Sequence, residues 1–198
     1  MKKFSFRIEP FAPAGLFLLL FSWEAVARTA VICSVLVHEL SHLAAAKIHG
    51  GKVRSVSLTA FGISLGFSPP KTYGEEIFVA AAGPAASFLF AVLGHARGGA
   101  FGGEVFVFSL FLGLMNLIPL ASFDGSRIIS ALLSLLFGES AAAKVSLALS
   151  YAFLFLARVI SVYVLFYSGA NFALLLFCAY IFVFTVIKKD CNSHDKVL

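Results

Sequence analysis

Residues 26–48 read V-A-R-T-A-V-I-C-S-V-L-V-H-E-L-S-H-L-A-A-A-K-I, an apolar run that carries His38, Glu39 and His42 well inside it. As a helix it is long enough to cross about 30 Å of hydrocarbon. Ionisable groups at that depth are costly and default to function. Residues four apart share one helix face, so His38 and His42 can turn two imidazole nitrogens toward one metal ion, with Glu39 one position on. This H-E-x-x-H arrangement is that of the zincins. Zinc lowers the pKa of a coordinated water to about 7 and polarises a carbonyl, and a carboxylate beside it can take the water's proton and return it to a leaving amine.

The rest of the chain accounts for the apolar setting. Of 198 residues 60% are hydrophobic and 13% charged, and the mean hydropathy is +0.97. A soluble domain of this length cannot hide so much apolar surface in one core, which leaves lipid as the solvent. The formal net charge is +5, but the lysines and arginines are scattered in ones and twos between apolar runs. They read as topology signals and contacts to anionic lipid, and no nucleic-acid partner is expected. Cys33, Cys178 and Cys191 lie far apart without C-x-x-C spacing, which argues against a disulfide framework or a thiolate zinc cluster.

Working outward from residues 26–48, further apolar runs stand at about 9–24, 75–95, 103–120, 142–167 and 169–187, giving about six spans. Lys2, Lys3 and Arg7 precede the first run, but no small-residue cleavage site follows, so it is expected to be a retained segment rather than a removable signal. With six spans, Lys52, Arg54, Lys71 and Arg127 fall on one side together with the basic residues of both ends, whereas Arg28 and Arg97 fall on the other. The basic side, and with it both termini, is expected in the cytosol. The expected fold is therefore an all-α, multi-pass membrane protein. Residues 1–187 would form a single transmembrane domain with its catalytic core at about 26–130, and 188–198 a short cytosolic tail.

The connection after residues 26–48 breaks the helical pattern. Phe61, Ile63, Leu65 and Phe67 alternate with Gly62, Ser64 and Gly66, the period of a strand. A small hairpin or sheet over Val53 to Phe67 is expected. Its free edge could receive an extended peptide through main-chain hydrogen bonds, or the hairpin could simply join two helices.

A catalytic zinc wants a third protein ligand. Apart from Glu39, the acidic residues lie at span edges or in tails, with the exception of Asp124. It stands in N-L-I-P-L-A-S-F-D-G-S-R, Asn116 to Arg127, where Pro119 and Gly125 interrupt an apolar stretch. Broken backbone at membrane depth is tolerated where it is buried or lines a wet cavity. The alternative is an interfacial turn in which Asp124 caps a helix beginning near Ser126. Between the two segments lies A-A-A-G-P-A-A-S, Ala80 to Ser87, which reads as plain close packing of helices through small side chains, from which a role in bringing the flanking spans within ligand distance follows.

Together, H-E-L-S-H in one span, A-G-P in the next and N-L-I-P with F-D-G after it resemble the site-2 proteases, intramembrane zinc metalloproteases, over about residues 30–130. The resemblance implies His38, His42 and Asp124 as ligands of one Zn2+ per chain, Glu39 as general base, and Asn116 as a polar group near the substrate or the oxyanion. It also implies a membrane-tethered protein substrate in a lipid bilayer, a membrane regulatory partner, and a bacterial cell membrane as the setting. The length and the F-G-I loop are most similar to the sporulation branch, that of stage IV sporulation protein FB, without that branch's nucleotide-binding CBS domain. Ser122, Phe123 and Ser126 depart from the usual aspartate segment, and Ser87 stands where the family often has Asn. The rival reading is a zinc transporter or sensor with the same ligands and no hydrolysis. It is weakened because the other spans, Arg158 apart, offer almost no ionisable relay.

Overall fold

A computed structural model describes residues 5–8, 24–59, 62–68, 70–120 and 123–168. The chain divides into two compact units, Met1–Ile118 and Pro119–Leu198.

The first unit begins with strand β1 (Ser5–Ile8), followed by helix α1 (Ala25–Ile48), strands β2 (Val53–Thr59) and β3 (Gly62–Phe67), and helices α2 (Tyr73–Arg97) and α3 (Gly99–Leu117). Helix α1 ends because Gly50 adopts φ +74°. Its N–H donates to Lys47 O and that of Gly51 to Ala46 O, a Schellman closure that satisfies two terminal carbonyls. The chain then enters the sheet. β2 pairs antiparallel with β3, from Val53 opposite Phe67 to Thr59 opposite Gly62, and parallel with β1 along Ser5–Ile8. The sheet thus has a third strand from the N-terminal segment, and β2 is its centre, with both edges taken. The edge expected over the whole of Val53 to Phe67 is corrected to β3, which packs against α1.

Thr72 starts α2 by accepting the Glu75 N–H at 3.2 Å, while Glu75 Oε2 takes the Lys71 N–H at 2.8 Å. Glu75 and Glu76 in the first turn and Arg97 in the last complement the helix dipole. Gly98 and Gly99, at φ +67° and +70°, fold the chain straight back into α3, a reversal that side-chain-bearing residues rarely adopt.

Each long helix of this unit is turned inside out relative to a soluble protein. On α1 the buried stripe is Ala30, Ser34, His38, His42, Ala45 and Ala46, whereas Leu36 and Leu40 are exposed. On α2 and α3, Leu89, Val92, Phe111 and Leu114 face outward while Gly83, Ser87, Ser109 and Gly113 are buried. Small and hydroxylated residues inside with large apolar ones outside is the packing lipid selects. Ser109 Oγ donates to Ser34 Oγ at 2.8 Å, joining α3 to α1, and Ser34 passes its own proton to Ala30 O.

The second unit contains α4 (Asp124–Phe137) and α5 (Glu139–Ser168), joined through Gly138 at φ +82°. Ser130 Oγ donates to Ser146 Oγ at 2.7 Å between the two helices. Ser150 Oγ donates to Pro119 O at 3.0 Å. Helix α4 begins at Asp124, just ahead of the start near Ser126 that the sequence offers, and its 14 residues are too few to span a bilayer.

Among the described residues, four helices are long and apolar enough to cross a membrane: Ala25–Ile48, Tyr73–Arg97, Gly99–Leu117 and Glu139–Tyr167. The fold is mostly helical. The run expected over 103–120 is corrected to 99–117, because Pro119 forces Ile118 into extended backbone at φ −64°, ψ 135° and ends the helix before it. The spans expected at 9–24 and 169–187, and the tail at 188–198, lie outside the described residues.

Candidate metal centre

Helix α1 places His38 and His42 one turn apart on its buried stripe. Their rings meet edge to face, with centroids 4.9 Å apart at 83°, and their Nε2 atoms stand 3.3 Å from one another. The other nitrogen of each ring is held from α2. His42 Nδ1 lies 2.8 Å from Val79 O. A carbonyl only accepts, so this Nδ1 carries the hydrogen and His42 Nε2 presents its lone pair. His38 Nδ1 lies 2.9 Å from Ser87 Oγ.

That arrangement fits a divalent metal of zinc's habits. Two imidazole nitrogens at about 2.0–2.1 Å from a tetrahedral zinc stand about 3.3–3.4 Å apart. Both imidazoles are buried, and the ligating habit of histidine is neutral Nε2 with Nδ1–H tied to a carbonyl or other acceptor. Glu39 follows His38 on α1 and is half-buried.

Helix α2 reaches these rings because of Gly83. A Cβ at that position would meet Nε2 and Cε1 of His42 and stand 2.8 Å from His38 Cε1. Ser41 adds a link in the same place, its hydroxyl lying 2.6 Å from His38 O and 3.0 Å from Ala82 O. The Ala80 to Ser87 patch, read from sequence as plain packing, thus also shapes and orients the histidine pair. Val79, Gly83 and Ser87 recur every four residues, the period of one helix face, and that was the overlooked signal.

Asn116 lies in the last turn of α3, half-buried, and its Nδ2 donates to Leu112 O at 3.0 Å within its own helix.

In the second unit, Asp124 is the first residue of α4 and is buried. Phe123 occupies the cap position with extended backbone. The alternative in which Asp124 caps a helix starting near Ser126 is therefore corrected, since the helix starts at Asp124 itself. Ser126 Oγ instead turns back to Phe123 O at 2.9 Å. Arg127 Nη1 approaches Asp124 Oδ1 at 3.4 Å, one turn along the helix. A carboxylate in the first turn is favoured by the helix dipole, and its second oxygen offers a hard anionic donor of the kind zinc accepts.

Comparison with known proteins points the same way. Residues 99–160 match the sequence model of Peptidase family M50. Rip3 of Mycobacterium tuberculosis, whose name describes a zinc metalloprotease, is 33% identical over 150 residues in two strains, covering 69% of this chain. The chain spans 37% of the length of these relatives. The fold is that of a site-2 protease from Methanocaldococcus jannaschii, with a TM-score of 0.71, 21% identity, and coverage of 90% of this chain and 87% of that one. These matches support the M50, site-2 protease, family.

Proposed function

We propose that the protein is an intramembrane zinc metalloprotease that hydrolyses a peptide bond of a membrane-embedded protein near the cytosolic face. The observation that carries the reading is the histidine pair: two buried Nε2 atoms 3.3 Å apart, with both Nδ1 atoms tied to α2. Two nitrogens so placed and so oriented suit a tetrahedral cation, and the donor set His38, His42 and Asp124 has the two imidazoles and one carboxylate common in hydrolytic zinc sites. Zinc, when bound there, supplies Lewis acidity toward a carbonyl and a water acidic enough to ionise near neutral pH.

The chain's own residues do the rest. Glu39 takes the proton of the attacking water and returns it to the leaving amine, acting first as base and then as acid. Asn116 Nδ2 carries two hydrogens, so it can keep its bond to Leu112 O and offer the other N–H to the developing oxyanion. A helical substrate hides its peptide bonds behind its own hydrogen bonds, so it must unwind locally. Strand β3, which has β2 on one side and packs against α1, can hold the unwound stretch by main-chain pairing. Lys52 and Lys71 flank the β2–β3 hairpin and Arg54 lies within β2, a cluster of positive charge that supports a cytosolic side for it by the positive-inside rule. The substrate class suggested by the sporulation branch is a membrane-tethered transcription-factor precursor in a bacterial membrane.

The test is cleavage of membrane-tethered substrates by the wild type and Glu39→Gln, with zinc counted per chain in both. The expected result is about one zinc in each and cleavage by the wild type alone, with a rate loss of about 10²–10⁴ or more for removal of the general base. A Glu39→Gln protein that cleaves normally overturns the mechanism. Zinc in both proteins, zinc flux in liposomes and no cleavage by either would favour the transporter reading.

A further inference from the structure

Zinc takes the lone pair of a neutral imidazole, so a histidine that binds through Nε2 must keep its hydrogen on Nδ1, and the acceptor of that hydrogen sets the ring's orientation. For His42 the acceptor is the backbone carbonyl of Val79, which is present whatever the side chain at that position. For His38 it is a side chain, Ser87, 49 residues along the chain. We propose that Ser87 is a positioning residue for the metal centre: its hydroxyl accepts the His38 Nδ1–H and so aims Nε2 at the cation. The proposal rests on the zinc reading above and adds to it the residue on which one of its two histidines depends.

Two features of the structure, and one general property of serine in helices, converge on this role. Ser87 is 1% exposed, as deeply set as the ring it faces at 3%, so water does not compete freely for the contact. It lies on the same face of α2 as Val79 and Gly83, at i+8 and i+4, so one helix face delivers a carbonyl, a gap and a hydroxyl to two imidazoles in turn. A hydroxyl within a helix can send its own proton to the carbonyl one turn back, which leaves the oxygen lone pairs to accept from the ring. An alanine at 87 keeps the packing of the small-residue patch and removes only that acceptor.

The test measures zinc affinity of the full chain in detergent by competition with a chromophoric chelator, independently of any cleavage. Ser87→Ala should weaken zinc binding by about 10–100-fold, the usual loss for an outer-shell partner of a ligating histidine, and Ser87→Thr, which keeps the hydroxyl, should restore most of it. Ser109→Ala serves as comparison, since Ser109 is an equally buried hydroxyl that bonds Ser34 and no imidazole; its zinc affinity should match the wild type. Should Ser87→Ala fail to fold, Ser87→Cys carries the same expectation, because a thiol is a weak acceptor of similar size. Unchanged affinity in Ser87→Ala, or an equal loss in Ser109→Ala, overturns the proposal and leaves the zinc reading intact. A wild type that binds no zinc overturns the zinc reading itself, and this inference with it.

Discussion

The two histidines and Asp124 differ in how far along the chain some of their partners lie. His38 and His42 share a helix, but what orients them comes from another, from groups 49 and 37 residues away. Near neighbours take part at Asp124: the extended backbone of Phe123 before it, the first turn of α4, and Arg127 one turn on. A site assembled across helices should be sensitive to changes far from its motif in sequence. One in which near neighbours take part should respond also to changes beside the residue itself.

The sharpest way to break that contrast is to alter each region at its expected point of failure. Asp124→Asn keeps the shape and removes the charge. If Asp124 is a ligand, its zinc affinity should fall by more than the about 10–100-fold typical of outer-shell partners, measured by chelator competition. Unchanged zinc content would remove Asp124 from the metal. Next comes Gly83→Ala, which lies 41 residues beyond His42 yet puts a methyl group into both imidazoles. It should lower zinc content and cost about 1–3 kcal/mol of stability from overpacking, read as a drop in thermal midpoint. A variant that binds zinc normally would mean that α2 gives way easily.

Smaller effects refine the comparison. Ser109→Ala removes a buried hydrogen bond between α3 and α1 away from the metal, and should cost about 1 kcal/mol in unfolding free energy with normal zinc content. Arg127→Gln should be smallest. The pair with Asp124 is long, and the arginine side chain is 38% exposed, so its loss should cost between about 0 and 1 kcal/mol and leave zinc bound. A large loss of zinc in Arg127→Gln would show that Asp124 is not positioned by the backbone alone.

How much of this was legible beforehand follows the same division. Residues 26–48 stand as α1, 25–48, because their apolar composition and the glycines after them are local properties. The break after Asn116 was visible in Pro119, which acts on the residue before it. Helix α4 is legible only as a helix starting near Ser126, because 14 residues are too short to stand out as a span. The third strand escaped for another reason. β1 pairs with β2 across some 50 residues of sequence, Ser5 with Ser55, and no local pattern in four residues announces a distant partner.

The same holds at the candidate metal centre. The residues alone give the chemistry on offer: two histidines at one-turn spacing, a carboxylate beside them and an aspartate after a proline break, all in apolar runs where such groups are costly. Spacing along one helix is a covalent fact, so the motif could be read without the fold. Packing adds the hydrogen-bond partners that each imidazole meets, and the room that a run of small residues leaves for the rings against α2. Those contacts depend on the rotation and approach of a second helix, quantities fixed by packing over its whole length rather than by the residues of the motif.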